Sequence, residues 1–324
     1  MLESEILCRA CAAFGLRLEN LKLLGRSQNL VYEHRSVEDS SILRISTGRW
    51  RTITEVESEL AWMDELAAAG IATCRPLQSN KGRLCELIEE GGEQAIAVHF
   101  EHAPGRKIER AEIDEGLYQR FGRLTAQLHA SSFDRPLQTA AQAGRLRWDQ
   151  SRLLVQDLDD FTPARAAGFR RSVRELIQEL RPQVEGRLGL VHGDLSFSNM
   201  FLDGERLWIF DFDNCEIGSI EQDFSVVLFD AIYCRLLNRV SMDELAQQIR
   251  QRWMRFLEGY CEVRTLPRID PELLRKFLIL REGLIYIHYC RTLDFSALTD
   301  ATRAAIEEMR QRVEDRATEI ELAE

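Results

Sequence analysis

The hydrophobic pattern of this chain changes character soon after residue 100, and that change limits the folds open to it. Short β-favouring runs come first, separated by polar or glycine-containing turns; they cover residues 21–24, 30–34, 42–45, 83–89 and 94–100. From residue 110 onward, apolar residues recur every three or four positions, as they do on the buried face of a helix. The sequence therefore predicts an α+β protein with an N-terminal antiparallel sheet and a mainly helical C-terminal part.

One helix is predicted inside the strand-rich part. Thr54 and Glu57 have the spacing of a capping box, and apolar residues follow at helical spacing: Val56, Leu60, Met63 and Ala67. Gly70 is expected to end this helix. In the C-terminal part, helices are predicted around 117–128, 173–180, 221–238, 241–260, 271–291 and 300–322. Short strands are predicted at 190–191, 200–202 and 207–210.

Charge and composition narrow the class of protein. Of the 324 residues, 45% are hydrophobic, which is enough apolar material for a substantial core. The net charge of −11 disfavours nucleic acids and anionic membranes as partners. No apolar run approaches the roughly 18 residues needed to span a bilayer, and the first residues are acidic, unlike a signal peptide. We therefore expect a cytoplasmic enzyme without a nucleic-acid or membrane partner; the sequence does not specify its oligomeric state.

Two short motifs carry the chemistry. Residues 192–199 read H-G-D-L-S-F-S-N, and D-F-D follows at residues 211–213. Phosphoryl transfer from ATP needs a carboxylate that deprotonates the attacking hydroxyl, and oxygen ligands for Mg²⁺. Asp194 has the residue type for the base, while Asn199 and Asp211 could share the metal ion.

These motifs, in this order, resemble those of the aminoglycoside phosphotransferase and choline kinase superfamily, whose members are distant relatives of protein kinases. The resemblance extends from about residue 23 to about residue 291. It implies a protein-kinase-like two-lobe fold, with a nucleotide-binding lobe at residues 1–102 and a catalytic lobe at 103–324. It also implies ATP and Mg²⁺ as cofactors, Asp194 as catalytic base and His192 as a residue that shapes the catalytic loop. Asn199 and Asp211 would bind the metal, and Asp213 would assist the metal or the substrate.

The resemblance assigns further residues to nucleotide binding. The loop at residues 25–29 would cover the phosphates, with Ser27 and Asn29 near the phosphate oxygens, although it has a single glycine, Gly25, which could equally belong to an ordinary turn. Arg44 on the third strand would bind phosphate and pair with Glu59 on the following helix. The alternative for Arg44 is a solvent-facing position on an alternating strand.

Residues 97–105 resemble the hinge whose backbone binds adenine in this superfamily. Phe100 and His102 are therefore assigned to the adenine site by position. Asp223 matches a family position that holds the metal loop and the start of a helix.

The acceptor site is predicted from one helix. Arg281, Leu284, His288 and Arg291 recur at helical spacing and so share a stripe that could bind an anionic group of a substrate. One alternative is that these side chains pair with surface carboxylates. Another is an aromatic site for a cationic amine at Tyr286 and Tyr289.

The predicted function is that of an ATP-dependent kinase acting on the hydroxyl of a small molecule, such as an amino alcohol, amino acid, sugar or aminoglycoside. Two alternatives stay open: a protein Ser/Thr kinase of the same superfamily, and a nucleotide-binding pseudokinase. The intact Asp194, Asn199 and Asp211 argue against the pseudokinase. The short distance from Asp213 to the helix near Asp223 leaves little room for a protein-kinase activation segment, which argues against the protein kinase.

Overall fold

The computed structural model describes residues 2–26, 28–36, 40–47, 51–134, 144–236, 242–266 and 268–318. The chain divides into two compact units. Unit 1 consists of Met1–Ile108, Pro136–Arg145 and Ser198–Asp213, and unit 2 of Glu109–Arg135, Leu146–Phe197 and Asn214–Glu324. The predicted lobe boundary at residues 102 and 103 stays a prediction, because a compact unit is not by itself a functional lobe.

Unit 1 contains the predicted antiparallel sheet. Its strands are β1 (Leu21–Arg26), β2 (Asn29–Arg35), β3 (Ser40–Thr47), β4 (Pro76–Leu77), β5 (Cys85–Glu90) and β6 (Glu93–Glu101). The order is β1-β2-β3-β6-β4, and β5 pairs with β6 through the predicted glycine turn. The two-residue strand β4 was not predicted, since a strand this short has no detectable alternation.

Two helices accompany this sheet. Helix α1 (Leu2–Phe14) contributes Ile6, Ala10 and Phe14 to a core shared with the sheet. Helix α2 (Ile53–Ala68) begins earlier than predicted: Thr52 and Glu55, rather than Thr54 and Glu57, form the capping box. The threonine two residues earlier has a glutamate at the same spacing, so sequence spacing alone did not separate the two candidates.

A second, small sheet in unit 1 contains the two strands that connect the chemical motifs at residues 192–199 and 211–213. It joins β7 (Arg106–Lys107), β9 (Met200–Asp203) and β10 (Arg206–Ile209) in the order β10-β9-β7. Ile209 also bridges to Thr73, which follows α2. The segment from Ser198 to Asp213 is therefore packed with the N-terminal strands, although it follows them by about a hundred residues.

Unit 2 is mainly helical, as predicted. Its long helices are α3 (Glu115–Phe133), α4 (Ala167–Val184), α5 (Ile220–Leu236), α6 (Met242–Cys261), α7 (Pro271–Thr292) and α8 (Asp300–Asp315). Helix α3 packs against α6, α5 against α7, and α8 against α4. The short strands β8 (Gly189–Val191) and β11 (Glu216–Gly218) pair with each other. Across the described ranges, no helix combines the length and the apolar character needed to cross a membrane.

The last helix is shorter than predicted. It ends at Asp315 rather than near residue 322, because Arg316 adopts a left-handed backbone with φ of 55° and the N–H of Ala317 bonds back to Arg312. Residues 319–322 of the predicted helix lie outside the described residues.

Candidate active site

In unit 2, the loop after β8 carries His192 and Asp194. Asp223, in the first turn of α5, is fully buried and accepts hydrogen bonds from the backbone N–H groups of His192 (3.0 Å) and Gly193 (2.9 Å). Asp223 was predicted to hold the metal loop and the start of a helix; in unit 2 it holds the loop that carries Asp194.

The shape of this loop depends on His192 and Gly193. The buried His192 accepts the N–H of Asp194 at Nδ1 (3.3 Å). Gly193 has φ of 76°, and a Cβ there would come 2.5 Å from the carbonyl oxygen of Asn214. No other residue type fits without moving the backbone. The histidine and the glycine of the motif therefore fix the backbone that presents Asp194.

The carboxylate of Asp194 is half-buried and forms an ion pair with Arg281 of α7. Arg281 Nη2 lies 2.5 Å from Asp194 Oδ1, and Arg281 Nη1 donates to the carbonyl of Gly193 (3.3 Å). The predicted stripe on α7 thus places its first arginine beside the predicted base.

The rest of the stripe has two different environments. His288 is half-buried, and burial together with the positive charge of Arg291 lowers its pKa from the ordinary value, so that the imidazole is neutral at pH 7. Arg291 forms a buried ion pair with Asp157 at 2.7 Å. Tyr286 is fully buried, which disfavours the aromatic-site alternative at that residue.

Sequence analysis missed His129. This histidine lies on α3, is fully buried, and contacts Asp223 Oδ2 through Nε2 (3.2 Å) and the hydroxyl of Tyr260 through Nδ1 (3.0 Å). It therefore supports the carboxylate that supports the loop. The only sequence signal is its place one residue after the apolar Leu128, which is not specific.

Unit 1 contains a cavity of about 240 Å³. Six predicted site residues line it: Asn29, Arg44, Glu59, Phe100, His102 and Asp211. The other residues that line it are Leu24, Val31, Ile42, Met63, Cys74, Glu101, Ala103, Phe201 and Phe210. Ser27, the remaining predicted residue of the β1–β2 loop, lies outside the described residues.

The wall of this cavity contains a buried ion pair. The guanidinium of Arg44 bonds both carboxylate oxygens of Glu59, at 2.7 and 2.8 Å. Burial opposes the charge of Arg44, but Glu59 outweighs it, and the net effect raises the pKa of Arg44. The guanidinium also lies 5.2 Å from the ring centroid of Phe100. Its buried Nε–H donates to no group among the described residues, so a donor remains for a bound anion.

Two predicted metal ligands, Asn199 and Asp211, lie at the open end of the hairpin formed by β9 and β10. Asn199 directly precedes β9, and Asp211 is the second residue after β10. The N–H of Phe210 bonds to the carbonyl of Asn199 (3.1 Å). Asp211 is exposed, whereas Asp213 is buried and accepts a hydrogen bond from Asn29.

This donor set suits a hard cation. Within the described ranges, no group of three or more His, Cys, Asp or Glu side chains could hold a metal ion. Mg²⁺ needs few protein ligands and prefers oxygen, which an amide and an exposed carboxylate supply.

Comparisons with known proteins show the family of this chain. The model of the phosphotransferase enzyme family matches residues 21–270. Amicoumacin kinase of Bacillus subtilis (strain 168) is 26% identical over 316 residues, which cover 97% of this chain and 92% of the relative.

Solved structures have the same fold. A microcompartment-associated aminopropanol kinase has a TM-score of 0.73 and 26% identity, with 97% of each chain covered. The amicoumacin kinase hAmiN, in complex with AMP-PNP, Ca²⁺ and Ami, has a TM-score of 0.84 and 24% identity, covering 98% of this chain and 95% of that one. The predicted kinase-like α+β fold is confirmed, and the chain belongs to the phosphotransferase enzyme family.

Proposed function

We propose that this phosphotransferase moves the γ-phosphate of ATP to a hydroxyl group of a small molecule. One observation carries the proposal: six residues predicted to serve nucleotide and metal binding, spread from Asn29 to Asp211 along the chain, line a single cavity in unit 1.

In this proposal the cavity binds the nucleotide. The backbone near Phe100 and His102 binds the adenine. The buried Arg44, which Glu59 orients, binds the phosphates. Asn199 and Asp211 hold Mg²⁺, which neutralises phosphate charge when bound. A role for Ser27 near the phosphates stays a prediction.

Asp194 is the proposed catalytic base. Its carboxylate accepts the proton of the acceptor hydroxyl. Because Asp223 anchors the loop, this carboxylate has a fixed position. Arg281 orients the carboxylate of Asp194, and His192 fixes its backbone N–H. His288 offers the acceptor a neutral hydrogen-bonding group on the same stripe as Arg281.

The proposed acceptor is an amino alcohol or an antibiotic with a related hydroxyl, rather than a carboxylate-bearing compound. Relatives named for aminopropanol and amicoumacin support this class. The charges of unit 2 support it as well: Arg281 is paired with Asp194, and Arg291 with Asp157, so the stripe has little excess positive charge for an anion. Dependence on ATP supports the predicted cytoplasmic location.

A screen of ATP consumption tests the proposal. The purified protein with Mg²⁺ would be offered aminopropanol, ethanolamine, choline, homoserine, aminoglycosides, amicoumacin and a generic protein substrate. We expect turnover with an amino alcohol or an antibiotic. Phosphorylation of the protein substrate alone would favour the protein-kinase alternative, and nucleotide binding without any turnover would favour the pseudokinase.

The role of Asp194 gives the first prediction. Asp194→Asn keeps the size of the side chain but removes the base, so kcat should fall by about 10²- to 10⁴-fold. The Kd of ATP with Mg²⁺ should change little, because the cavity in unit 1 is untouched. Titration of nucleotide binding and steady-state kinetics measure the two quantities. Near wild-type kcat in this variant would exclude Asp194 as the base.

A further inference from the structure

The amide of Asn29 and the carboxylate of Asp213 bond to each other inside unit 1. Asn29 Nδ2 donates to Asp213 Oδ2 at 2.8 Å, and the two residues are only 8% and 5% exposed. Ser46, on the neighbouring strand β3, donates its hydroxyl to Asn29 Oδ1 (2.7 Å). Since the oxygen of the amide receives the serine proton, its nitrogen must face Asp213.

Asp213 is held from two further directions. Arg51, just before α2, lies 3.9 Å from Asp213 Oδ2. Arg145 donates to the backbone carbonyl of Asp213 (3.0 Å) and to that of Glu55 in α2 (2.8 Å). The side chain and the backbone of Asp213 are therefore both tied to the elements that form the cavity.

The three residues of the D-F-D motif have distinct environments. Asp211 is exposed and has φ of 66°, a left-handed conformation that a non-glycine residue keeps only when its surroundings fix it. Phe212 is fully buried and packs edge-to-face on Trp62 of α2, with ring centroids 5.3 Å apart. Asp213 is buried against Asn29. The second and third residues thus anchor the motif, and the first lines the cavity.

We propose that Asn29 and Asp213 are a positioning pair: their buried hydrogen bond joins the end of the β1–β2 loop to the segment that holds Asp211, and so fixes both for binding of the metal–nucleotide complex. Neither residue then needs to touch phosphate or metal itself. The inference rests on the proposed nucleotide function of unit 1.

An exchange of the two side chains tests the pair. Asn29→Asp alone brings two carboxylates together and should raise the Kd of ATP with Mg²⁺ by at least about tenfold, as expected for loss of a bond to a charged group. Asn29→Asp combined with Asp213→Asn restores one donor and one acceptor, and the acceptor for Ser46 is kept. This double variant should return to within about threefold of the wild-type Kd.

A matched control comes from the same unit. The hydroxyl of Ser79 donates to Glu86 Oε1 at 2.7 Å, both residues are buried, and neither lines the cavity. Ser79→Ala should lower the melting temperature of the nucleotide-free protein and leave the Kd unchanged. If Asn29→Asp does not fold, Ser46→Ala is the milder variant, and it should raise the Kd by about threefold or more by releasing the amide.

The measurements are nucleotide titrations with and without Mg²⁺, and thermal unfolding of the nucleotide-free variants. If Asn29 touched phosphate and Asp213 the metal directly, the exchange would bind as poorly as the single variant, and the positioning pair would be overturned. An unchanged Kd in both Asn29→Asp and Ser46→Ala would overturn it as well. Absence of Mg²⁺-dependent ATP binding in the wild-type protein would instead contradict the proposed function.

Discussion

Arg44 lies in the middle of β3, between Leu43 and Ile45, where alternation alone would place it in solvent. Its partnership with Glu59 was nevertheless predicted from the family resemblance, and the two side chains form a bidentate pair. The solvent-facing alternative is wrong, because Arg44 is 5% exposed. Both faces of β3 are covered here, so the period of two could not identify an inner and an outer face.

Arg281 is the residue whose contact was least predictable. The helical stripe was visible in the sequence, but its neighbour Asp194 lies 87 positions away along the chain. Such a contact depends on how α7 packs in unit 2, which no local pattern encodes. The same limit applies to Arg291, whose partner Asp157 had no distinguishing feature in the sequence.

We expect Arg281→Met to lower kcat by about ten- to a hundredfold, since a charge-assisted bond to the base is worth about 1.5–3 kcal/mol. Arg281→Lys should recover part of the loss, and the Kd of ATP should not change. Arg291→Met is the contrasting variant: it leaves Asp157 buried without its partner and should lower the melting temperature rather than kcat. Steady-state kinetics and thermal unfolding separate the two effects. Wild-type kcat in Arg281→Met would exclude the positioning role.

At the scale of elements, most long segments and the short strands β8 to β10 were predicted, whereas three other short strands were not. Helices α5 to α7 and strands β1 to β3 were predicted within two residues of their bounds, whereas α3 ends five residues later and α4 begins six residues earlier than predicted. Strands β4, β7 and β11 have two or three residues each and no measurable alternation. The packing of Ser198–Asp213 with the N-terminal sheet was also missed, since it depends on contacts between distant segments.

The junction of the His192 loop with α5 leads to a prediction about Asp223. Asp223→Asn replaces one acceptor oxygen by an NH₂ group that opposes a backbone donor, so kcat should fall at least about tenfold and stability by about 1–3 kcal/mol. Asp270→Asn is the matched control, because Asp270 also accepts hydrogen bonds from backbone N–H groups at the start of a helix. Unlike Asp223, Asp270 is exposed. The control should keep kcat. Equal effects of the two substitutions on kcat would contradict a specific role of Asp223.

For the molecule as a whole, the fold and the family followed from the order of the two motifs and from the change of period near residue 100. The identity of the acceptor could not be predicted from the sequence. The groups around Asp194 come from helices, and tertiary packing decides which helices contact each other. The charge balance of the α7 stripe, which disfavours an anionic acceptor, became visible only with the partners of Arg281 and Arg291 in place.

Stability of the whole molecule should depend on pH through His99. This histidine on β6 is buried against Phe14 of α1, with ring centroids 5.6 Å apart, and burial lowers its pKa to about 4. In the unfolded chain its pKa returns to about 6.5. Between these values the unfolded chain binds a proton that the folded protein excludes, so stability is lost as the pH falls from about 6.5 towards 4.

The expected size of this effect is about 2 kcal/mol between pH 7.5 and pH 5, from the difference of the two pKa values. Carboxylates add their own pH dependence, and a variant isolates the share of His99. His99→Leu keeps an apolar side chain against Phe14 and cannot take up a proton. The free energy of unfolding, measured by urea denaturation at both pH values, should therefore fall less in the variant than in the wild-type protein, by about 2 kcal/mol. If the free energy of unfolding fell equally in the two proteins, His99 would be protonated as easily in the folded state as in the unfolded chain. Its burial against α1 would then not govern the acid sensitivity.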